Sequence, residues 1–151
     1  VRVGLNARVD TLQAAILLAK LSVFETELVN RQRVATRYTK KIGGLVELQH
    51  IPTKTQSAWA QFAVLTEQRD VLKDYLKSQG VPSMIYYPKP LHRQTTFAHL
   101  NYCEGDLPVS EWISKRILSL PMHPYLKDDE VDEIADAITS FFARDCSHGM
   151  Q

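Results

Sequence analysis

Cysteine is scarce in this chain of 151 residues, and the two present, Cys103 and Cys146, lie far apart and in no spacing typical of metal ligands. They are too few to form a disulfide framework, so we expect a reducing compartment, the cytoplasm. A net charge of +1 gives no electrostatic reason to expect a nucleic acid or a membrane surface as partner. No apolar run is long enough to cross a bilayer, and no secretory signal pattern opens the sequence. We therefore expect a soluble protein.

Recognisable catalytic motifs are missing as well. The sequence has no Gly-rich phosphate loop, no Gly-x-Ser-x-Gly elbow and no pair of carboxylates placed for acid–base catalysis. His123 has no acid or nucleophile at a useful nearby spacing, so we expect it to be a buried, hydrogen-bonded structural histidine. We predict no catalytic residue and no metal site, because no zinc pattern links the cysteines with the remaining scattered histidines, His50, His99 and His148.

Hydrophobic periodicity predicts helices and short strands around one core, and the length suits a single domain. We predict helices over residues 10–24, 25–42, 69–79, 108–118 and 128–144, and strands over 45–50, 58–66, 82–87 and 118–122. The helix at 108–118 is expected to bury Val109, Trp112, Ile113 and Ile117. The last helix should bury a stripe formed by Val131, Ile134, Ala135, Ile138 and Phe141. The tail, 145–151, should be mobile.

The first predicted helix is apolar on almost every side. Asp10 is expected to cap it, and only Gln13 and Lys20 form a thin polar line. A domain of this size can scarcely cover such a helix alone. We therefore expect cover from a missing domain, a second subunit or both, and the lack of an initiator Met fits a chain that begins inside a longer protein.

The second predicted helix carries a basic face formed by Arg31, Arg33 and Arg37. This face could bind phosphate or nucleic acid, but the acidic residues of the chain balance it overall. We therefore expect an outward, solvated face.

Near the N-terminus, an extended segment should project Asn6 and Arg8 to the same side, with Gly4 allowing a close approach of the backbone. An amide beside a guanidinium group suits a phosphate or a carboxylate. The alternative is a loop in which Arg8 caps a helix or pairs with Asp10.

A second candidate segment is the loop 86–92, in which Pro88 and Pro90 prevent continued strand pairing and stiffen the chain. It would hold the phenol groups of Tyr86 and Tyr87 and the imidazole of His92 in place for a sugar or a cofactor ring. The alternative is an edge-strand turn whose tyrosines complete the core.

Four blocks of sequence resemble the DegT/DnrJ/EryC1/StrS family of sugar aminotransferases. They are the Gly-x-Asn-x-Arg-x-Asp-x-Leu-Gln-Ala-Ala segment at 4–15 and the segments 31–38, 86–92 and 118–126, in the family's order and at about its spacing. The resemblance covers essentially this whole chain but only the C-terminal part of the family's usual length.

The resemblance implies an α+β structure, the small C-terminal domain of the fold type I, aspartate aminotransferase-like, pyridoxal phosphate fold, with a short, mainly antiparallel sheet flanked by helices. Residues 1–24 would form a buried connecting helix with a lead-in facing the dimer and the cofactor, 25–144 the small domain and 145–151 the tail. Family members transfer an amino group, usually from glutamate, to a keto-sugar linked to a nucleotide. Their Schiff-base lysine lies upstream of the matched segments, so this chain alone should be inactive and pyridoxal 5'-phosphate should be bound mainly by the missing domain.

Residue roles follow from the resemblance by position. Asn6 matches an asparagine that reaches the cofactor phosphate of the partner subunit, and Arg8 matches an arginine near acidic groups of the substrate, which implies a homodimer with a shared active site. Tyr86, Tyr87 and His92 match the loop that lines the sugar site. The branch that acts on UDP-linked 3-keto-hexuronic acids in surface-polysaccharide synthesis is the most similar one. The alternative function is a non-catalytic binding module, either a truncated paralogue or a fragment.

Overall fold

The computed structural model of the chain describes residues 9–148. Four helices surround a three-stranded antiparallel sheet, so this part of the chain has the α+β architecture that the resemblance implies. In chain order the elements are α1 (Thr11–Ile42), β1 (Glu47–Leu48), β2 (Phe62–Leu65), α2 (Arg69–Ser78), two short 3-10 helices (Leu91–Arg93 and Thr95–Leu100), α3 (Pro108–Arg116), β3 (Ile117–Leu120) and α4 (Asp128–His148).

Helix α1 is continuous over 32 residues, so the predicted division into two helices at residue 24 is wrong. No proline or glycine stands between residues 11 and 42, and the backbone hydrogen bonds therefore continue through the change from apolar to charged sequence. The predicted cap is confirmed, since the Asp10 carboxylate accepts a hydrogen bond of 2.8 Å from the backbone N–H of Gln13. At the other end, Gly43 donates its N–H to the carbonyl of Thr39 at 3.1 Å.

The sheet has the order β1-β2-β3 with both pairs antiparallel. Central strand β2 pairs Phe62 with Leu120 and Leu65 with Ile117 of β3. The strand predicted over 82–87 is wrong, because that segment makes only one isolated bridge, from Met84 to Ser119. Proline residues at 82 and 88 cannot donate to a neighbouring strand, which limits pairing to this single position.

The core lies between the sheet, α2, α4 and the C-terminal third of α1. Tyr38 and Phe62 pack with ring centroids 5.0 Å apart, and both side chains are fully buried or nearly so. The stripe predicted for α4 is confirmed, because Val131, Ile134, Ala135, Ile138 and Phe141 are all buried.

Helix α3 packs on a different face from the predicted one. Val109 is 68% exposed and Trp112 40% exposed, whereas Ser114 is buried. The Trp112 ring lies 4.5 Å below the guanidinium carbon of Arg116, which covers this ring at the surface instead of in the core. The helix also ends two residues earlier than expected, because β3 already begins at Ile117.

The prediction of a solvated basic face on α1 is wrong, because acidic residues of α4 pair with this face. Arg37 holds the Asp132 carboxylate with two hydrogen bonds of 2.6 Å each. We call this contact the ion-pair row; its bases are Arg33, Arg37 and Lys41, and its acids are Asp128, Asp132 and Asp136. Arg31 instead donates to the carbonyl of Trp59 at 2.9 Å. The basic face therefore joins α1 to the rest of the domain, and it is not a free nucleic-acid surface.

The N-terminal part of α1 presents apolar side chains to the outside of the described chain. These include Leu12, Ile16, Leu17, Leu18, Leu21 and Val29, each at least half exposed. Burial on α1 begins at Val34, which is fully buried. Although α1 is long, none of the helices within residues 9–148 combines the length and the apolarity needed to cross a membrane.

Candidate functional site

The loop singled out in the sequence forms one wall of a cavity of about 550 Å³. The opposite wall comes from α3 and the start of β3. The three predicted loop residues, Tyr86, Tyr87 and His92, all line this cavity, and the other lining residues are Lys89, Pro90, Leu91, Gln94, Phe97, Leu100, Leu107, Ser110, Ile113, Ser114 and Ile117.

The two tyrosines do not belong to the core. Tyr86 is 36% exposed and Tyr87 67% exposed, and their rings meet edge to face with centroids 5.7 Å apart. The alternative in which these tyrosines complete the core is therefore wrong. Their phenol groups are available as hydrogen-bond donors and acceptors, and their rings give an apolar surface of the kind that packs on a sugar or a base.

His92 differs from the tyrosines because it is buried, with 8% of its surface exposed. It lies in the first 3-10 helix, directly after Pro90 and Leu91. Its Nε2 atom is 2.9 Å from Oε1 of Glu111 on α3, and its ring meets the edge of the Tyr102 ring with centroids 5.9 Å apart. The imidazole is thus fixed on two sides while it lines the cavity.

Glu111 is a residue that the sequence reasoning missed. Besides the contact with His92, its two carboxylate oxygens each accept a hydrogen bond of 3.0 Å from the backbone N–H of Gly105. The hydrogen bond with His92, followed by that from Gly105, lowers the pKa of Glu111 below its ordinary value. The only sequence signal was an acid in the first turn of a helix, which ordinarily indicates stabilisation of the helix N-terminus.

Among the described residues, the side chains that line the cavity include bases but no acids. Lys89 and His92 are the basic side chains of its lining, and no carboxylate residue is among the described residues that line it. Side chains with hydroxyl or amide groups, Gln94, Ser110 and Ser114, alternate with apolar ones. Such a lining suits an anionic ligand with a polar ring, since a cation and several hydrogen-bonding groups face an apolar floor.

The other predicted residues are placed elsewhere. Asn6 and Arg8 lie outside the described residues. His123 is exposed, so the prediction of a buried histidine is wrong; it lines a separate cavity of about 750 Å³ between α2 and α4. Within residues 9–148, no group of three or more potential ligands is placed to hold a metal ion.

Comparison with known proteins gives a family and several relatives. The model of the DegT/DnrJ/EryC1/StrS aminotransferase family matches residues 1–139. A UDP-2-acetamido-2-deoxy-3-oxo-D-glucuronate aminotransferase from Pseudomonas aeruginosa is 40% identical over 143 residues, which cover 93% of this chain and 38% of that protein.

Two solved structures agree with this result. An aminotransferase of the same family from Brucella abortus is 48% identical and superposes with a TM-score of 0.85, covering 93% of this chain and 38% of that one. DesV from S. venezuelae, solved in complex with a ketimine intermediate, is 31% identical and superposes with a TM-score of 0.87. The match covers 91% of this chain and 38% of that one. The chain therefore spans a little over a third of the length of these relatives.

Proposed function

The chain belongs to the DegT/DnrJ/EryC1/StrS aminotransferase family, and we propose that it is the C-terminal part of an enzyme that transfers an amino group to a keto group of a nucleotide-linked sugar. Glutamate is the proposed amino donor. The observation that carries the proposal is the cavity in which Tyr86, Tyr87 and His92 meet beside Lys89, with no carboxylate in its described lining. An anionic nucleotide sugar matches both the charge and the hydrogen-bonding groups of this lining.

Pyridoxal phosphate would supply the electron sink for amino transfer when it is bound to the complete protein. The residues described here do not form a site for it by themselves. Among the described residues that line the cavity, Lys89 is the only lysine, and none is a carboxylate that could face a pyridine nitrogen. We therefore propose that the cofactor is held mainly by the part of the protein that this chain does not contain, with Asn6 reaching its phosphate.

The cavity side chains have roles that need no cofactor geometry. Tyr86 and Tyr87, partly exposed, would pack on the sugar ring and hydrogen-bond to its hydroxyls. His92, held by Glu111, would present its second ring nitrogen to the ligand. Lys89 would attract the negative charge of the substrate.

The proposed substrate class is a UDP-linked 3-keto-hexuronic acid used in surface-polysaccharide synthesis. The relative from Pseudomonas aeruginosa is named for such a substrate, and Arg8 would give the sugar carboxylate a partner. We also propose a cytoplasmic homodimer with a shared active site. The exposed apolar side chains at the start of α1 support this, because they need cover from outside residues 9–148.

The experiment is transamination by the complete protein with pyridoxal phosphate, glutamate and UDP-2-acetamido-2-deoxy-3-oxo-D-glucuronate. We expect an aminated nucleotide sugar together with 2-oxoglutarate, both detected by mass spectrometry. His92→Ala should lower kcat/KM about tenfold or more, because it removes a fixed polar contact from the cavity. His123→Ala is the matched control, since His123 is exposed and lines a different cavity.

Absence of an aminated product with the uronic acid and with its neutral analogue would contradict the proposal. The non-catalytic binding module would then be the better description. Equal losses in the two histidine variants would show that His92 has no particular role in the reaction.

A further inference from the structure

Glu111 joins three separate segments around His92. It belongs to α3, it contacts His92 in the 3-10 helix, and it accepts the N–H of Gly105 in the loop between them. Its side chain is only 12% exposed and that of His92 only 5% exposed. The contact is therefore a largely enclosed one, in which a hydrogen-bonding group without a partner would be costly.

The hydrogen bonds of Glu111 decide which nitrogen of His92 carries a proton. The backbone N–H of Gly105 can only donate, and it points to both carboxylate oxygens. The carboxylate is ionised, because these hydrogen bonds lower its pKa, and an ionised carboxylate can only accept. Nε2 of His92, 2.9 Å away, must therefore be the donor. A neutral imidazole that carries its proton on Nε2 has a free lone pair on Nδ1.

The orientation of the imidazole is fixed as well. Tyr102 packs its ring edge against His92, and the carbonyl of Tyr102 accepts a hydrogen bond of 3.2 Å from Arg93. Gly105 stands three residues further along the same loop, with a φ of +94°, where a side chain would strain the backbone. The loop that Glu111 holds through Gly105 therefore also carries Tyr102, whose ring contacts His92.

We propose that Glu111 is a positioning residue that holds His92 in the Nε2-protonated form, so that Nδ1 accepts a hydrogen bond from a hydroxyl group of the sugar. This inference rests on the proposed function for the identity of the ligand. The protonated nitrogen itself follows from the contacts within the chain. Glu111 is not among the described residues that line the cavity, so it would act on the ligand only through His92.

The decisive variant is Glu111→Leu, which replaces the carboxylate by an apolar group that cannot accept a hydrogen bond from Nε2 of His92. Glu111→Gln is the conservative variant, because Oε1 of Glu111 accepts from both His92 and Gly105, and one amide oxygen in its place can do the same. Only Glu111→Leu should therefore release the proton from Nε2. Glu104→Gln is the matched control, because Glu104 is an exposed acid of the same loop and its replacement removes the same charge.

The first measurement is the nitrogen NMR spectrum of the complete protein labelled with 15N-histidine, without substrate. The His92 signals are assigned by their loss in His92→Gln. We expect protonation at Nε2 alone in the wild type, in Glu104→Gln and in Glu111→Gln, and a mixture of the two neutral forms in Glu111→Leu. A wild-type protein with a proton on Nδ1, alone or in addition to the one on Nε2, would overturn the proposal even if Glu111→Leu did not fold.

The second measurement is the steady-state kinetics of the nucleotide sugar and of the amino donor. Glu111→Leu should raise KM for the nucleotide sugar about tenfold, since His92 loses both its fixed orientation and its fixed proton, and should leave KM for glutamate unchanged, whereas Glu111→Gln should keep both KM values near those of the wild type. Combined with His92→Gln, Glu111→Leu should have no additional effect, because its action passes through His92. Additive losses would show a merely structural role and would contradict the proposal.

The two measurements separate this inference from the proposed function. If the wild type aminates no nucleotide sugar, the proposed function fails, while the NMR spectrum still tests the proton position. If the wild type is active but its His92 signals do not change in Glu111→Leu, the positioning role fails while the proposed function remains.

Discussion

At the scale of single residues, the cavity combines two different kinds of polar group. Tyr86 and Tyr87 are exposed and can adapt to a ligand, whereas His92 is buried and held by Glu111. The exposed phenol rings contribute contact area, and the fixed imidazole sets the direction of a hydrogen bond to the ligand. A site built in this way can accept a family of related sugars while it requires one hydroxyl group in a defined place.

Arg8 gives the prediction at this scale. If its guanidinium binds the sugar carboxylate, Arg8→Ala should raise KM for the 3-keto-hexuronic acid about tenfold more than KM for the neutral analogue, because a hydrogen bond to a charged group is lost only with the acid. The measurement is the ratio of the two KM values in the complete protein. Equal changes would instead support the alternative in which Arg8 caps a helix or pairs with Asp10.

The loop residues of the cavity could be predicted because their signal is local. Seven consecutive residues, with two prolines that stop a strand, place Tyr86, Tyr87 and His92 together. Glu111 stands 19 residues after His92, and only the packing of α3 brings the two side chains to 2.9 Å. Trp59 is a similar case. It is buried with a φ of +46°, and its contacts are with the distant helix α1, since Arg31 donates to its carbonyl and its indole N–H donates to Gln32.

At the scale of secondary structure, the ion-pair row defines how α1 and α4 pack together. Its members on α1 and on α4 are spaced by four residues, so each set lies along one side of its helix. Single exposed ion pairs contribute little to stability, but here each acid of the row has a base within 4 Å, and two of the three acids, Asp128 and Asp132, each pair with two bases. The row therefore fixes the register of the two helices as well as their contact.

Asp132 gives a prediction about acid stability. The hydrogen bonds from Arg37 hold the pKa of Asp132 well below its usual range. A carboxyl group with a lowered pKa in the folded state stabilises the protein above its unfolded pKa, near 4, and loses this contribution as the pH falls further. We expect Asp132→Asn to lower Tm at pH 7, and the difference from the wild type to narrow as the pH falls from about 5 to 3.

The control for this prediction is Asp74→Asn, since Asp74 is an exposed acid on α2. Its Tm should follow that of the wild type over the same range of pH. If the Tm difference between Asp132→Asn and the wild type stayed constant over this pH range, Asp132 would act through packing and not through its charge.

The elements that were predicted well are those with complete periodic patterns, such as α4 and its buried stripe. The errors arise in segments whose structure depends on what lies next to them and not only on their own sequence pattern. The apolar start of α1 differs in composition from its end, and a single helix can pass through both because no proline or glycine stands between residues 11 and 42. The segment 82–87 has the composition of a strand, yet it has only the edge of β3 to pair with and makes one bridge.

At the scale of the whole molecule, the described chain is a compact domain joined to an apolar half-helix. Side chains of α1 before Val34 contribute little to the core, and the most exposed of its large apolar side chains is that of Leu12, at 79%. Matched relatives are between two and three times as long as this chain, which covers 38% of them. We therefore expect the first part of α1 to be covered in the complete protein, by the remaining domain, by the second subunit of the proposed homodimer or by both.

Leu18 tests this expectation, because it lies in the middle of the apolar half-helix and is 70% exposed in the described chain. If the complete protein covers it, Leu18→Ser should lower the free energy of unfolding by about 2 kcal/mol, the usual cost of removing a buried leucine side chain. Val71→Ser is the matched control on α2, where Val71 is 62% exposed, and it should change the stability by about 0.5 kcal/mol at most. Urea unfolding of the complete protein gives both values, and equally small effects would show that this half of α1 remains exposed.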